Sequence, residues 1–358
     1  MALTNVPPYR LMNDPLRIFT ALLNDIDQAK DEILIEVYKF NNDIIGIKIR
    51  DALIKKAKEG VKVKLLMDSW GSTSNPAFFS SLIFHGGQVR FFKKIKLFVD
   101  FFTKNHRRNH RKLIIIDGNI SYIGSNNITG YCLNWRELSL RIEGDISKKF
   151  AHIFYTDFEA YNKYVYKKGG FLKTIHHNGF KIVRDKPSIT QQKIMNQYAE
   201  LIRSAKEQII IETPYFLPGS RLRKAIIDAT TRGVKIRIIM PKHSDVAIVD
   251  ILRSRYLGQL HRHHVEILLY RGYNLHSKAL LFDNKTFSIG SPNFDYRSFI
   301  YQHEITLIGE EKLISDQLKK HMDETAMDCD FFNYENWMNR SPMQKLFEYI
   351  LMPLRYYL

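Results

Sequence analysis

Two cysteines in 358 residues, Cys132 and Cys329, exclude a disulfide framework and a cysteine-rich zinc site. Their scarcity fits a reducing compartment. No apolar run approaches the roughly 18 residues a spanning helix needs, and MALTNVPPYRLMNDPLRIF lacks the basic, then apolar, then small-residue order of a signal peptide. The expectation is a chain without a spanning segment. There is no glycine-rich phosphate loop opening a helix, so nucleotide hydrolysis has no support. His176 and His177, and His261, His263 and His264, have neither cysteine nor a helix-spaced carboxylate beside them, so they read as solvated loop histidines. Acid is also in short supply. Against 54 Lys and Arg there are 37 Asp and Glu, a net charge of +17, which calls for a polyanionic neighbour: nucleic acid or an anionic membrane surface.

What the chain does have is a copy of itself. AKDEILIE at 29–36 returns as AKEQIIIE at 205–212, and KKAKEGVKVKLLMD ending at Asp68 returns as DATTRGVKIRIIMP ending at Pro241. HRKLIIIDGNISYIGSNN at 110–127 returns as HSKALLFDNKTFSIGSPN at 276–293. The offset drifts from 176 at Ala29/Ala205 to 166 at His110/His276, as a duplication with loop changes would leave it. In each half a helix (14–30, 190–206) precedes an apolar strand. A second helix (44–59, 219–232) and a second strand follow, then a hairpin around Gly118-Asn119 or Asn284-Lys285. This alternation predicts α/β layers in each half, read as two similar α-β-α sandwiches. If the halves pack about a pseudo-twofold axis, the active site lies at their interface. The expected divisions are 1–160, a loop connection at 161–189 containing Gly169-Gly170, Asn178-Gly179 and Pro187, then 190–340, and an amphipathic tail at 341–358.

Each repeated block supplies a histidine and, two residues later, a lysine, on what reads as a strand with both side chains on one face. Asp117 or Asp283 follows, then Gly-Ser-x-Asn with Ser125 and Asn127 or Ser291 and Asn293. Two His, two Lys and two Asn in one cleft would suit a phosphoryl group. Lys and Asn donate to the non-bridging oxygens, one imidazole attacks phosphorus and the other protonates the leaving oxygen. That chemistry needs no metal and no cofactor.

The doubled HxKxxxxDx6GSxN resembles the phospholipase D superfamily across nearly the whole chain. The resemblance implies a covalent phosphohistidine on His110 and an acid at His276, with Lys112 and Lys278 on the phosphate. The motif itself is symmetric and does not separate the two roles. It also implies that Glu137 and Glu304, 27 and 28 residues after their histidines, hold the imidazole Nδ1. Asn127, Asn293, Ser125 and Ser291 would contact phosphate, although the serines could simply form the turn. Asp117 and Asp283 would be structural, paired with a buried cation.

Within the superfamily, NFDYRSFIYQHEI from Asn293 to Ile305 resembles the bacterial cardiolipin synthases. So do Tyr38-Lys39-Phe40 with Asp43 and Gly46, and RIEGDI after Trp135-Arg136-Glu137. The chain departs in having Gln302-His303 where an Asn often precedes the second Glu, and in lacking the N-terminal transmembrane hairpin of some synthases, like the shorter, peripheral type. The resemblance implies a phosphatidyltransferase making cardiolipin from phosphatidylglycerol at the cytoplasmic side of the cell membrane. The alternatives are a phospholipid hydrolase and a nuclease. Residues 90–112 carry nine Lys and Arg among five Phe, suiting contact with anionic headgroups.

Overall fold

The computed structural model describes residues 8–92, 107–161 and 172–356. It divides into two compact units: Met1–Leu133 with Glu137–His177, and Asn134–Arg136 with Asn178–Leu358.

In the first unit the sheet runs Tyr9–Met12, Ser139–Glu143, Ile120–Gly124, Leu113–Ile116, Glu32–Val37, Lys62–Asp68, Gln88–Phe92. The last three strands are parallel and the remaining pairs are antiparallel. In the second unit the order is Phe180–Asp185, Gln302–Gly309, Thr286–Gly290, Ala279–Phe282, Gln208–Glu212, Lys235–Pro241, Glu266–Tyr270, then the added edge Cys329–Phe331. The seven strands from Phe180–Asp185 to Glu266–Tyr270 match the first sheet strand for strand, and Ile175–His177 is a further short strand beside Phe180–Asp185.

Alternation along the strand sends residues to opposite faces. In the first unit Ile33, Ile35 and Val37 join Ile18, Phe19, Leu22, Ile26, Ile49 and Leu53 of the helices Pro15–Gln28 and Ile44–Lys58 in one core. The intervening residue Glu36 faces the other way. A third helix, Ile146–Ala160, packs on that side against the central strands. The second unit repeats this plan. Ile209 and Ile211 share a core with Ile202, Leu222, Ala225 and Ile226 of Lys193–Ser204 and Ser220–Thr231, and Lys312–Met327 is the third helix. The sandwich layers expected from the sequence are therefore present in both units.

Two sequence expectations need correction. Residues 161–189 are not all loop: Phe180–Asp185 is a strand paired antiparallel with Gln302–Gly309. The Asn178-Gly179 dipeptide, with φ of 44° and 81°, is the tight turn that starts it. His261 is not a loop residue. It lies in the last turn of the helix Ala247–Arg262 and stacks on Tyr334, with ring centroids 5.2 Å apart. In the tail, Pro342–Ile350 is a helix. No helix among the described residues is long and apolar enough to cross a membrane, and no cluster of metal-ligating residues occurs among them.

Candidate active site

Each histidine stands just outside a strand rather than within one. His110 and Lys112 lie between Arg108–Asn109 and Leu113–Ile116, and His276 and Lys278 between Asn274–Leu275 and Ala279–Phe282. The lysine folds back on its own loop. Lys112 Nζ donates to His110 O at 2.7 Å, and Lys278 Nζ to His276 O at 2.6 Å. All four residues are more than nine-tenths buried. An aromatic ring lies against each imidazole: Tyr38 at 5.0 Å from His110 and Trp135 at 5.2 Å from His276.

The hairpin that follows is pinned at its turn. Asp117 and Gly118 have φ of 51° and 59°, Asp283 and Asn284 of 51° and 53°, the left-handed pair that a two-residue hairpin turn demands. The two aspartates do not pair with a buried cation as expected from the sequence. Asp117 accepts the amides of Lys30, Asp31 and Glu32 at 2.8, 2.8 and 2.9 Å. Asp283 accepts those of Lys206, Glu207 and Gln208 at 2.8–3.2 Å. Each ties the hairpin to the entry of the central strand. Burial alone would raise the Asp283 carboxyl, but the three amides hold it below the usual carboxylate range.

The motif serines sit deep in their own units. Ser125 and Ser291 are fully buried, and their hydroxyls donate to Glu137 and Glu304. Each also accepts a main-chain amide from the neighbouring strand, Leu138 N at 2.9 Å and Ile305 N at 3.1 Å. These hydroxyls cross-link neighbouring segments inside their own unit. Gly124 and Gly290 precede them because the neighbouring strand is too close for a side chain: a Cβ would sit 2.1 Å from Leu138 O and 2.3 Å from Ile305 O.

Asn127 and Asn293 lie two residues on, both buried. Asn127 Oδ1 accepts Lys39 N at 3.3 Å, whereas Asn293 Oδ1 has no hydrogen-bond partner among the described residues. Asp43, quoted above with Gly46, caps Ile44–Lys58 and also accepts Gly130 N at 2.8 Å, fixing the loop beyond Asn127.

Several residues around the motif carry no signal in a lone sequence. Beneath the first loop, Asp68 accepts Arg108 through Nε and Nη2 at 2.7–3.1 Å and the amides of Asn109 and Trp70 at 2.9 and 2.8 Å. Burial still pushes the Asp68 carboxyl up against these donors. Arg111, the residue between His and Lys, pairs with Asp157 and stands 3.9 Å from Glu36. Asn109 Nδ2 donates to Glu36 at 2.7 Å. So Arg108 and Arg111, counted from sequence with the headgroup-docking charges of residues 90–112, are paired inside the unit. Arg90 is too, on Phe158 O at 2.6 Å and the Phe158 ring. Residues 93–106 of that segment lie outside the described residues.

Beyond the second motif, Asp295 caps the helix Tyr296–Tyr301 by accepting Ser298 N at 2.7 Å. Its burial raises the carboxyl to about 6, against the opposing pull of that amide, Arg297 and Lys278. It belongs to the NFDYRS run, which marked the stretch without marking this residue.

Residues 22–161 and 198–326 match the family described as cardiolipin synthase, PLD-like domain. A cardiolipin synthase of Listeria welshimeri is 36% identical over 84% of this chain and 65% of its own length. The major cardiolipin synthase of Bacillus subtilis is 33% identical over 90% of this chain and 69% of its own. The chain therefore spans about two thirds of the length of these curated relatives. In fold it is similar to the phosphatidylserine synthase of Haemophilus influenzae, with a TM-score of 0.78 at 14% identity over 98% of this chain and 95% of that one. A polyphosphate kinase from Porphyromonas gingivalis is similar with a TM-score of 0.63 at 12% identity, over 96% of this chain and 52% of that one. The chain belongs to the cardiolipin synthase family of phospholipase D-like proteins.

Proposed function

We propose that the protein is a phosphatidyltransferase that makes cardiolipin from phosphatidylglycerol through a phosphatidyl-histidine. The observation that carries this reading is the doubled set of His, Lys and Asn, each complete and each on the same scaffold, in a chain of the cardiolipin synthase family. In the proposed reaction an imidazole nitrogen of His110 attacks phosphorus of one phosphatidylglycerol. The bond from phosphorus to the headgroup oxygen breaks and His276 gives that oxygen its proton, releasing glycerol. The hydroxyl of a second phosphatidylglycerol then attacks the same phosphorus, His276 takes its proton, and the P–N bond to His110 breaks. Lys112, Lys278, Asn127 and Asn293 would hold the non-bridging oxygens, with charge-assisted bonds from the lysines. Glu137 and Glu304 would orient the imidazoles. A carboxylate that fixes the tautomer is the ordinary companion of a catalytic histidine.

The donor is a membrane lipid, so the protein is proposed to act at an anionic bilayer surface on its cytoplasmic side. The net charge of +17 supports this. So does the tail helix Pro342–Ile350, which leaves Leu346, Phe347 and Ile350 exposed while its one carboxylate, Glu348, is buried against Arg340. The test is to incubate the protein with phosphatidylglycerol vesicles and read the lipids by mass spectrometry, with His110→Ala alongside. Cardiolipin and free glycerol, both absent with the variant, are expected. Phosphatidic acid as the only product would make the protein a hydrolase using water as acceptor. Absence of lipid turnover, with cleavage of single-stranded DNA, would make it a nuclease.

A further inference from the structure

The second motif loop is enclosed by a ring of contacts that runs through a third histidine. The His276 amide donates to Arg136 O at 2.9 Å. The segment carrying Arg136 is a short strand, Trp135–Arg136, paired in parallel with Asn274–Leu275 within the second unit. The Arg136 guanidinium reaches the helix Lys312–Met327, donating to Thr325 Oγ1 at 2.6 Å and to His321 O at 3.2 Å. From the same residue, His321 Nε2 meets Glu212 Oε1 at 2.6 Å, and Glu212 also accepts the hydroxyl of Ser277, the neighbour of His276. Glu212, Ser277 and His321 are at most 3% exposed. Burial alone would raise the Glu212 carboxyl, but His321, Ser277 and Arg136 bring it below the usual range.

From this ring we infer that His321, Glu212 and Arg136 are positioning residues for His276. The ring holds the backbone of His276 on its N-terminal side through Arg136 and on its C-terminal side through Ser277, and His321 joins the two holds. A histidine serving as acid and base must keep one orientation while its proton comes and goes, and supporting contacts at a distance of one residue set that orientation. None of the three touches substrate in this account. The inference deepens the transfer reaction proposed above and rests on it for the kinetic arm of its test, but not for the spectroscopic arm.

The test uses the full chain labelled with 13C-histidine, comparing His321→Leu, His321→Gln and Ser277→Ala with the parent. Glutamine keeps a donor near the position of Nε2; leucine does not. His321→Leu is expected to move the His276 ring titration followed by NMR, leaving that of His110 in place. It should lower kcat on phosphatidylglycerol vesicles at least tenfold with KM within twofold. His321→Gln should recover kcat to within about threefold of the parent, and Ser277→Ala should show the same pattern at smaller amplitude. If His321→Leu leaves the His276 titration and kcat unchanged, the inference fails. It also fails if the loss follows only the melting temperature and glutamine does no better than leucine. Should His321→Leu not fold, the His321→Gln and Ser277→Ala titrations decide alone. A parent that turns over no lipid defeats the transferase reading, while the His276 titrations still decide the positioning role.

Discussion

The two units share a sheet order, a hairpin turn and a serine–glutamate cross-link, yet they support the residue between His and Lys in opposite ways. In the first unit it is Arg111, a cation on the loop, set between Glu36 of the central strand and Asp157 of the third helix. In the second it is Ser277, and the basic group has moved to the helix as His321, with Glu212 between them. The constant element is the carboxylate, Glu36 or Glu212, at the end of the central strand and facing the third helix. The fold therefore demands a polar bridge from strand to loop to helix, and which of the two outer positions supplies the basic group is open to change. Half a duplicated site can then diverge chemically under an unchanged backbone. A guanidinium stays charged at any working pH, whereas an imidazole is the side chain best suited to changing charge near neutrality.

The strongest way to break this comparison is to rewrite the first bridge as the second. Arg111→Ser alone leaves two buried carboxylates without their cation and is expected to cost about 3–5 kcal/mol. Adding Asp157→His returns a basic group from the helix side, as in the second unit. With Asp157→His alone completing the double-mutant cycle in chemical denaturation, the coupling energy is expected to favour the double variant by at least about 1 kcal/mol. Strict additivity would mean that the two bridges are not equivalent.

A smaller effect sharpens the comparison at the next position. Asp295 occupies the place that Thr129 holds in the first unit, by the offset that relates Asn127 to Asn293. Its carboxyl titrates at about 6 in the folded protein, against about 4 in an unfolded chain. Between those values the folded state binds the extra proton, so stability from this group falls as pH rises through the window. Asp295→Asn cannot ionise and still caps the helix. It is expected to be more stable than the parent at pH 8, by roughly 3 kcal/mol, and the advantage should vanish near pH 4. An advantage independent of pH would place the cause elsewhere.

The sequence made the duplicated plan legible because it is local. Periodic apolar runs, a glycine after each second helix and a two-residue turn inside each His block are read within a few neighbouring residues. Even there a stronger loop signal misled: Asn178-Gly179 with Pro187 nearby hid the strand Phe180–Asp185. The supports of the site were not legible. Asp157 lies 46 residues from Arg111, and His321 lies 109 from Glu212. Nothing in one sequence pairs residues so far apart. Arg136 stands out only as part of a family match, and Ser277 occupies an x of the motif. A hydroxyl beside a glycine suits both a ligand and a turn, and the burial of Ser125 and Ser291 against Glu137 and Glu304 is not visible in the sequence.

The claim that the two histidines divide one reaction can be tested on a single turnover. A phosphatidyl ester of p-nitrophenol has a leaving group that needs no proton, so His276→Ala should still form the covalent enzyme from it and then stall for want of a base. The account predicts a burst of about one equivalent of nitrophenolate and a phosphatidyl group on the His110 peptide by mass spectrometry. A burst with the label on another residue, or unimpeded steady turnover by His276→Ala, would contradict it.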